Sequence, residues 1–118
     1  MKTPVQITYR HTESSEALNE LIHEKAHGLE EVCERITACR VVIEPPTEHH
    51  RLGKGAHFIV RIDVSVPHEV LVVTRDPALA EERDDAFLAV SDAFHTMRQR
   101  LEDYVDRQRE RRKGVARA

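Results

Sequence analysis

The chain of 118 residues carries a formal net charge of −3, with 40% hydrophobic and 33% charged residues. This length and composition predict one globular domain with a modest core and, because no run approaches the ~18 apolar residues of a membrane span, exclude a membrane-spanning protein. The first residues lack the uninterrupted apolar core of a signal peptide, so we expect a cytoplasmic protein.

The charge is unevenly distributed along the chain. Residues 1–106 carry 12 Lys and Arg against 20 Asp and Glu, a net charge of −8, whereas residues 107–118 carry six against one, a net charge of +5. Such a basic segment is most often a solvated tail and less often a contact for a polyanion, so it supports nucleic-acid binding only weakly by itself.

The first two predicted elements are a strand and an amphipathic helix. Val5, Ile7 and Tyr9 alternate with polar residues, as in a strand with one buried face. From about residue 14 to about residue 33, apolar residues recur every three or four positions, which predicts a helix capped by Ser14 or Ser15. Its apolar face comprises Ala17, Leu18, Leu21, Ile22, Ala26, Leu29, Val32 and Ile36.

Three further strands are predicted in the middle of the chain. Residues 39–44 (CRVVIE) are rich in β-branched side chains and stop before Pro45, after which comes a loop of glycines and polar residues. Residues 57–66 (HFIVRIDVSV) alternate between apolar and other side chains, and a Pro-His dipeptide separates them from residues 69–75 (EVLVVTR). The last two strands are therefore expected to form a hairpin.

The last predicted element is a helix of about thirty residues, whose acidic start and basic end complement the helix dipole. The resulting order is β-α-β-β-β-α, and a right-handed crossover makes the first two strands parallel neighbours. Because each strand has one apolar stripe, both helices should cover the same face of a four-stranded sheet and leave the other to solvent or a partner. The core-facing stripe of the last helix comprises Ala86, Phe87, Val90, Ala93, Phe94, Met97, Leu101, Tyr104, Val105 and Gln108.

The stretch HEKAH matches the H-E-x-x-H signature of zinc proteases, in which two histidines one turn apart bind the metal. His23 and His27 are one turn apart, but they lie beside or opposite the apolar face, so we expect them to point outward. The extended motif would also need glycine and histidine where this chain has Glu30 and Cys33. An adventitious surface metal site at the two histidines is a better interpretation than an enzyme.

Other candidate sites are no stronger. His49, His50 and His57, near Arg51 and Lys54, suggest a metal or phosphate site, but histidines in a loop of this composition are usually solvated. The cysteines, at positions 33 and 39, form no C-x-x-C pair, so they predict reduced thiols rather than a disulfide framework or a zinc ribbon. With no recognisable arrangement of nucleophile and base, we expect a protein that is not an enzyme and needs no cofactor or metal.

The pattern as a whole resembles the ribosome hibernation-promoting factor family, also called the sigma-54 modulation or ribosome-associated inhibitor family. The similarity rests on the element order and on residues 5–31 (VQITYRHTESSEALNELIHEKAHGLEE), 35–44 (RITACRVVIE) and 84–104 (DDAFLAVSDAFHTMRQRLEDY). It spans about residues 4–113. The positions that match the family's two helix patterns are Leu18, Lys25, Leu29, Glu30, Asp85, Phe87, Ala89, Val90 and Leu101.

The resemblance implies an α+β fold like that of double-stranded-RNA-binding domains. It also implies a non-enzymatic protein that binds the small ribosomal subunit and its 16S rRNA, in the channel used by messenger and transfer RNA, and inhibits or hibernates translation under stress. Ribosomal RNA is a dense polyanion, which Lys and Arg recognise through its backbone. We expect neither a membrane nor a small-molecule partner, a monomer on the ribosome, and a short form without the C-terminal dimerisation domain of long family members.

Family members bind through basic side chains on both helices, and this chain departs from that pattern. Where the family commonly has lysine or arginine, it has Gly28, Thr96, Gln99 and Asp103, which shifts the expected contacts toward the basic C-terminal end at 107–118. The residues that remain to contact RNA are Lys25, Arg98, Arg100, Arg107, Arg109, Arg111, Arg112 and Lys113.

Two other classes stay open at this point. One is a protein-interaction or dimerisation module that uses an exposed sheet face or edge strand, which the acidity of the body favours and the basic tail opposes. The other is a metal-dependent enzyme, which the placement of the histidines opposes.

Overall fold

A computed structural model describes residues 3–45, 58–75 and 86–117, with side chains up to Arg112. The predicted histidine-containing loop (His49, His50 and His57) and the acidic stretch before the last helix lie outside the described residues. The order β-α-β-β-β-α is confirmed. The elements are β1 (Gln6–Tyr9), α1 (Glu16–Val32), β2 (Ala38–Glu44), β3 (Ile59–Val66), β4 (Glu69–Thr74) and α2 (Ala86–Arg117).

The four strands form one mixed sheet in the order β1-β2-β3-β4. β1 runs parallel to β2, as the crossover through α1 requires, and the other two pairings are antiparallel. The predicted hairpin is present, with Val66 opposite Glu69 across a two-residue turn. In this turn Pro67 is followed by His68 at a φ of 72°, the sequence of proline and positive φ that a type II turn uses.

Helix α1 begins where its sequence supplies a cap. The hydroxyl of Ser15 accepts a hydrogen bond from the amide of Leu18 at 3.2 Å, so Ser15 rather than Ser14 is the N-cap. The hydroxyl of Tyr9, at the end of β1, lies 2.7 Å from Oδ1 of Asn19 and fixes this end of the helix to the sheet. Of the predicted apolar face only Ala17, in the first turn, is exposed.

The core lies between the helices and one face of the sheet. The inward-facing strand residues alternate along the chain, as predicted, and β3 alone contributes Val60, Ile62, Val64 and Val66. Leu18, Ile22, Ala26 and Leu29 cover this face from α1, and Val90, Ala93, Phe94, Met97, Leu101 and Tyr104 cover it from α2. Both helices therefore pack on the same face, as the single apolar stripe of each strand requires.

The predicted stripe of α2 is wrong at Phe87. Its side chain is 46% exposed and that of its neighbour Leu88 is 47% exposed, whereas the buried stripe begins with Ala89 and Val90. Phe87 lies in the first turn of α2, next to residues 76–85, which are outside the described part of the chain. Phe87 and Phe94 are seven residues apart, so their rings point in the same direction from the helix. Fewer neighbouring residues pack against a side chain at the end of a helix than against one in its middle.

Neither helix covers the opposite face of the sheet, which is expected to meet solvent or a partner. Arg40 on β2 and Arg61 on β3 are exposed, and they alternate with the buried core residues of the same strands. None of the helices in the described ranges has the combination of length and apolar content that crossing a membrane demands.

Candidate nucleic-acid interface

The eight basic residues predicted to contact RNA occupy three regions of the surface. The first is a groove between α1 and α2, called here the inter-helix groove. The second is the side of α2 that faces β4. The third consists of the C-terminal turns of α2. The groups are Lys25 with Arg98 in the groove, Arg100 with Arg107 on the β4 side, and Arg109, Arg111, Arg112 and Lys113 in the C-terminal turns.

The inter-helix groove has a volume of about 390 Å³ and receives side chains from both helices. Leu29 and Phe94 lie at its base, where each is almost completely buried. Lys25 enters from α1 and Arg98 from α2, so the helix packing brings together two predicted residues that are far apart in sequence. Arg98 also forms an ion pair with Glu102 one turn later on α2, at 3.5 Å.

Gly28 lines the same groove. A Cβ atom built at this position would have no neighbouring atom within 4 Å, so the space above the glycine is open. Where the family commonly has a basic side chain, this chain has glycine. The space that a side chain would enter at this position is open. A ligand therefore has access to the backbone of α1 at this point.

Acidic groups surround the two arginines on the β4 side of α2. Arg107 forms an ion pair with Glu69, at 3.6 Å, near the start of β4. Arg100 donates a hydrogen bond from Nη1 to the carbonyl oxygen of Val72, at 3.1 Å. Both arginines line a second groove, of about 590 Å³, together with Asp103, Asp106 and Glu110. The two arginines thus lie together, but the carboxylates around them reduce the electrostatic attraction of this region for an anion.

The C-terminal turns of α2 extend past the end of the sheet. Tyr104 is the last buried residue of α2 among those up to Arg112, and its hydroxyl donates a hydrogen bond to the carbonyl oxygen of Pro67 in the β3–β4 turn, at 3.2 Å. Arg109, Arg111 and Arg112 follow on exposed turns. The side chain of Lys113 lies outside the described residues, although its backbone continues the helix.

The buried phenol of Tyr104 connects the C-terminal turns to the core. Burial raises the pKa of Tyr104, and the negative charges of ionised Cys33 and of Glu69 act in the same direction. The positive charges of Arg35 and Arg111 oppose this rise in the pKa. The positive charge of Arg111 thus acts on a core residue, although Arg111 itself is exposed.

Sequence reasoning missed three arginines on the solvent-facing side of the sheet. Arg10, Arg40 and Arg61 border one groove there, and each has a polar partner on the same face. Arg10 pairs with Glu44 at 3.3 Å, Arg40 donates to Oε1 of Gln6 at 3.3 Å, and Arg61 pairs with Asp63 at 3.0 Å. The alternation of the predicted strands could have identified Arg40 and Arg61, because every second residue of β2 and β3 faces away from the core.

The histidines of the H-E-x-x-H match are exposed on α1. Nδ1 of His27 lies 4.0 Å from a carboxylate oxygen of Glu30, and the side chain of His27 is 80% exposed. Within residues 3–45, 58–75 and 86–117, no three His, Cys, Asp or Glu side chains are grouped so as to hold a metal ion. The described residues therefore contain no set of ligands that completes a zinc site at His23 and His27.

Neither cysteine has the surroundings of a reactive thiol. Cys33 and Cys39 are both free and buried. Burial, with a smaller contribution from the negative charge of Asp63, raises the pKa of Cys39 from 9.0 to about 12. Because the thiolate is the nucleophilic form, a buried thiol with this pKa is inert near neutral pH.

The fold and its basic groups define an α+β domain whose long second helix carries exposed arginines beyond the sheet. The chain belongs to the family described as Sigma 54 modulation protein / S30EA ribosomal protein, whose sequence model matches residues 5–109. No curated protein matches the sequence significantly.

Two solved structures show the same fold. One is described as a ribosomal subunit interface protein from Coxiella burnetii, with a TM-score of 0.65, 20% sequence identity, and coverage of 86% of this chain and 97% of that one. The other is the N-terminal domain of Protein Y from Thermus thermophilus, with a TM-score of 0.63, 15% identity, and coverage of 84% and 94%. At these identities the similarity establishes the architecture alone.

Proposed function

We propose that this protein binds the small ribosomal subunit, contacts its 16S rRNA through basic side chains of α1 and α2, and inhibits or hibernates translation under stress. The observation that carries the proposal is the family match over residues 5–109, which includes the whole sheet, α1, and α2 as far as Arg109. One solved relative is itself described as a ribosomal subunit interface protein, which agrees with this proposal. The protein would act in the cytoplasm, as a monomer on the ribosome and without a cofactor.

The charge distribution determines how such binding would work. The body of the protein carries −8 and would repel rRNA at long range, whereas residues 107–118 carry +5. Electrostatic interactions between exposed charges are screened over about 10 Å at 0.1 M salt, so a basic segment that extends past the sheet acts locally. Arg109, Arg111 and Arg112 meet this condition, because they are exposed and follow both the Tyr104 hydrogen bond to Pro67 and the Arg107 ion pair with Glu69. They would release counterions from rRNA phosphates.

The proposal is tested by co-sedimentation of the purified protein with separated 30S and 50S subunits and with 70S ribosomes, at low and high salt. The expected result is binding to 30S and 70S particles that weakens as salt rises, and little binding to 50S subunits. A parallel translation assay should show inhibition at protein concentrations that saturate 30S subunits. Binding to none of the particles at low salt would contradict the proposal.

A protein-interaction or dimerisation module is the second candidate function. The observation that favours it is the solvent-facing side of the sheet, where Arg10, Arg40 and Arg61 surround the half-buried apolar residues Val42 and Ile59. Such a mixture of arginine and apolar area is typical of protein interfaces. This alternative would be favoured if the protein does not co-sediment with ribosomes but sediments by itself as a species heavier than one chain.

A further inference from the structure

The geometry points to the inter-helix groove as a pH-dependent part of the rRNA-binding surface, in which protonation of His27 and His95 creates a second cationic contact for phosphate. This inference rests on the proposed function, because the ligand is rRNA. It adds a site and a regulation to the contact made by the C-terminal turns of α2.

The two imidazoles belong to different helices but line the same groove. His27 comes from α1 and is 80% exposed, and His95 comes from α2 and is also exposed. Lys25 and Arg98 line the groove with them, so each helix contributes one permanent cation and one histidine. Histidine is the side chain that commonly takes up a proton between pH 8 and pH 5.

The charged groups around the histidines determine what this proton uptake changes. From α1, Glu24 and Glu31 line the groove, so with neutral histidines the two carboxylates balance Lys25 and Arg98, and the lining carries no net charge. Two imidazolium groups bring the same lining to +2. The lining of the groove therefore gains two positive charges as pH falls.

Three further carboxylates flank the groove without reversing this change. Glu30 lies 4.0 Å from His27, and Glu102 pairs with Arg98 at 3.5 Å, so with these two carboxylates included the two added charges take the region from a net charge of −2 to neutral. Asp92 is one turn before His95 on α2 but forms an ion pair with Arg75, at 3.5 Å. On the other side of His95, Nε2 of Gln99 lies 3.4 Å from its Nε2. No strand residue in the described chain lines the groove, so the sheet adds no charge there.

The shape of the groove suits a polyanion backbone. The open space above Gly28 leaves the centre of the groove unobstructed, between Lys25 and His27 on one helix and His95 and Arg98 on the other. Each phosphate neutralised by a cation releases counterions, which makes binding stronger and more sensitive to salt. Two protonated histidines would supply two such contacts, and RNA phosphates do not change their charge over the same pH range.

The sign of the effect follows directly. Protonation adds positive charge to the groove, so affinity for 30S subunits rises as pH falls from 8 to 6. If both imidazolium groups contact phosphate, the affinity at about 0.1 M salt should increase by roughly tenfold, and the slope of log affinity against log salt should become steeper by roughly 1.5 units. Neutral histidines at pH 8 leave the C-terminal turns of α2 as the main contact.

The experiment measures the dissociation constant for purified 30S subunits at pH 6 and pH 8 for the unmodified protein and three variants. The double variant His27→Gln/His95→Gln removes both titrating groups of the groove. His23→Gln is the matched control, because it removes an exposed histidine one turn earlier on α1 that does not line the groove. The variant His27→Lys/His95→Lys carries the two charges permanently.

The unmodified protein and His23→Gln should both bind about tenfold more tightly at pH 6 than at pH 8. His27→Gln/His95→Gln should bind equally at both pH values, with the affinity that the unmodified protein has at pH 8. His27→Lys/His95→Lys should bind tightly at both. A double glutamine variant that keeps the full pH dependence would overturn the inference while leaving ribosome binding intact, whereas failure of the unmodified protein to bind at either pH would overturn the proposed function as well.

Discussion

Arg100 of α2 is hydrogen-bonded to the edge strand of the sheet, with 3.1 Å between its Nη1 and the carbonyl oxygen of Val72. Among the described strands β4 pairs only with β3, and the amide of Arg75 donates to the carbonyl oxygen of Val60. In an antiparallel pair, the backbone groups of successive residues point alternately toward the partner strand and away from it. Counting from Arg75, which bonds to β3, the backbone groups of Val72 point away from β3, toward the open edge. Arg100 therefore occupies an acceptor that another strand would otherwise use, and its guanidinium has further donors for a phosphate.

Replacement of Arg100 by alanine is expected to promote self-association through the edge of β4. The strand is apolar and β-prone, and Val70 within it is 56% exposed, so an uncovered edge is a template for strand pairing. Light scattering after gel filtration should show a higher average mass for Arg100→Ala than for the unmodified protein at the same concentration. Arg109→Ala is the control, since this exposed arginine lies beyond the sheet. Equal masses for all three proteins would contradict the role of Arg100.

The two phenylalanines of α2 should differ sharply in their contribution to stability. Phe94 is 3% exposed in the core, so Phe94→Ala should lower the free energy of unfolding by about 3–5 kcal/mol. Phe87 is 46% exposed, and Phe87→Ala should lower it by about 1 kcal/mol or less. Urea denaturation of both variants measures the difference. Similar losses for the two would mean that the structure assigns the wrong face of α2 to the sheet.

Gly28 offers a position where stability and binding can be increased together. Gly28→Ala should raise the free energy of unfolding by about 0.5–1 kcal/mol, because alanine is the better helix former and its Cβ meets no atom within 4 Å. Gly28→Lys adds a cation to the inter-helix groove and should also strengthen binding to 30S subunits at pH 8. Thermal unfolding and sedimentation measure the two effects. A destabilised alanine variant would show that the space above Gly28 is not open.

The Cys39 thiol makes stability depend on pH in alkaline solution. Burial raises its pKa from 9.0 to about 12, so between these values the thiol loses its proton only when the chain is unfolded. The contribution of the neutral thiol is fully present below pH 9 and is lost as pH rises toward 12, at up to about 1.4 kcal/mol per pH unit. Cys39→Ala should show a shallower decline of the free energy of unfolding from about pH 9 to about pH 11. If the free energy of unfolding declines equally in Cys39→Ala and in the unmodified protein, other groups such as Tyr104 cause the pH dependence.

Sequence periodicity predicted the parts of this fold that repeat along the chain. The alternation of Val60, Ile62 and Val64 identified the buried face of β3, and the spacing of Leu18, Ile22 and Leu29 identified that of α1, because burial on one face forces a period of two or about 3.6. These periods also placed both helices on the same face of the sheet.

The errors of sequence reasoning have a common physical cause, since each depends on where elements end or meet. Phe87 has the periodicity of a core residue but lies at a helix end, where cover depends on neighbouring segments. Lys25 and Arg98 share a groove only because α1 packs beside α2, which no spacing within one helix encodes. The bond from Arg100 to Val72 likewise depends on how α2 crosses the edge of the sheet.

The central claim is that basic side chains near the end of α2 bind the small ribosomal subunit, and its most direct test is the salt dependence of 30S binding with and without them. In the tail variant, Arg107, Arg109, Arg111 and Arg112 are all changed to glutamine. Its fold should survive, because Arg107 loses only an exposed ion pair with Glu69 and the other three are exposed.

The dissociation constant of each protein is measured at several salt concentrations and a single pH, and circular dichroism verifies the fold. The tail variant should bind 30S subunits more weakly, and its slope of log affinity against log salt should be flatter by somewhat under one unit for each phosphate that an arginine no longer neutralises. An affinity and a slope equal to those of the unmodified protein would contradict the claim that the end of α2 carries the binding.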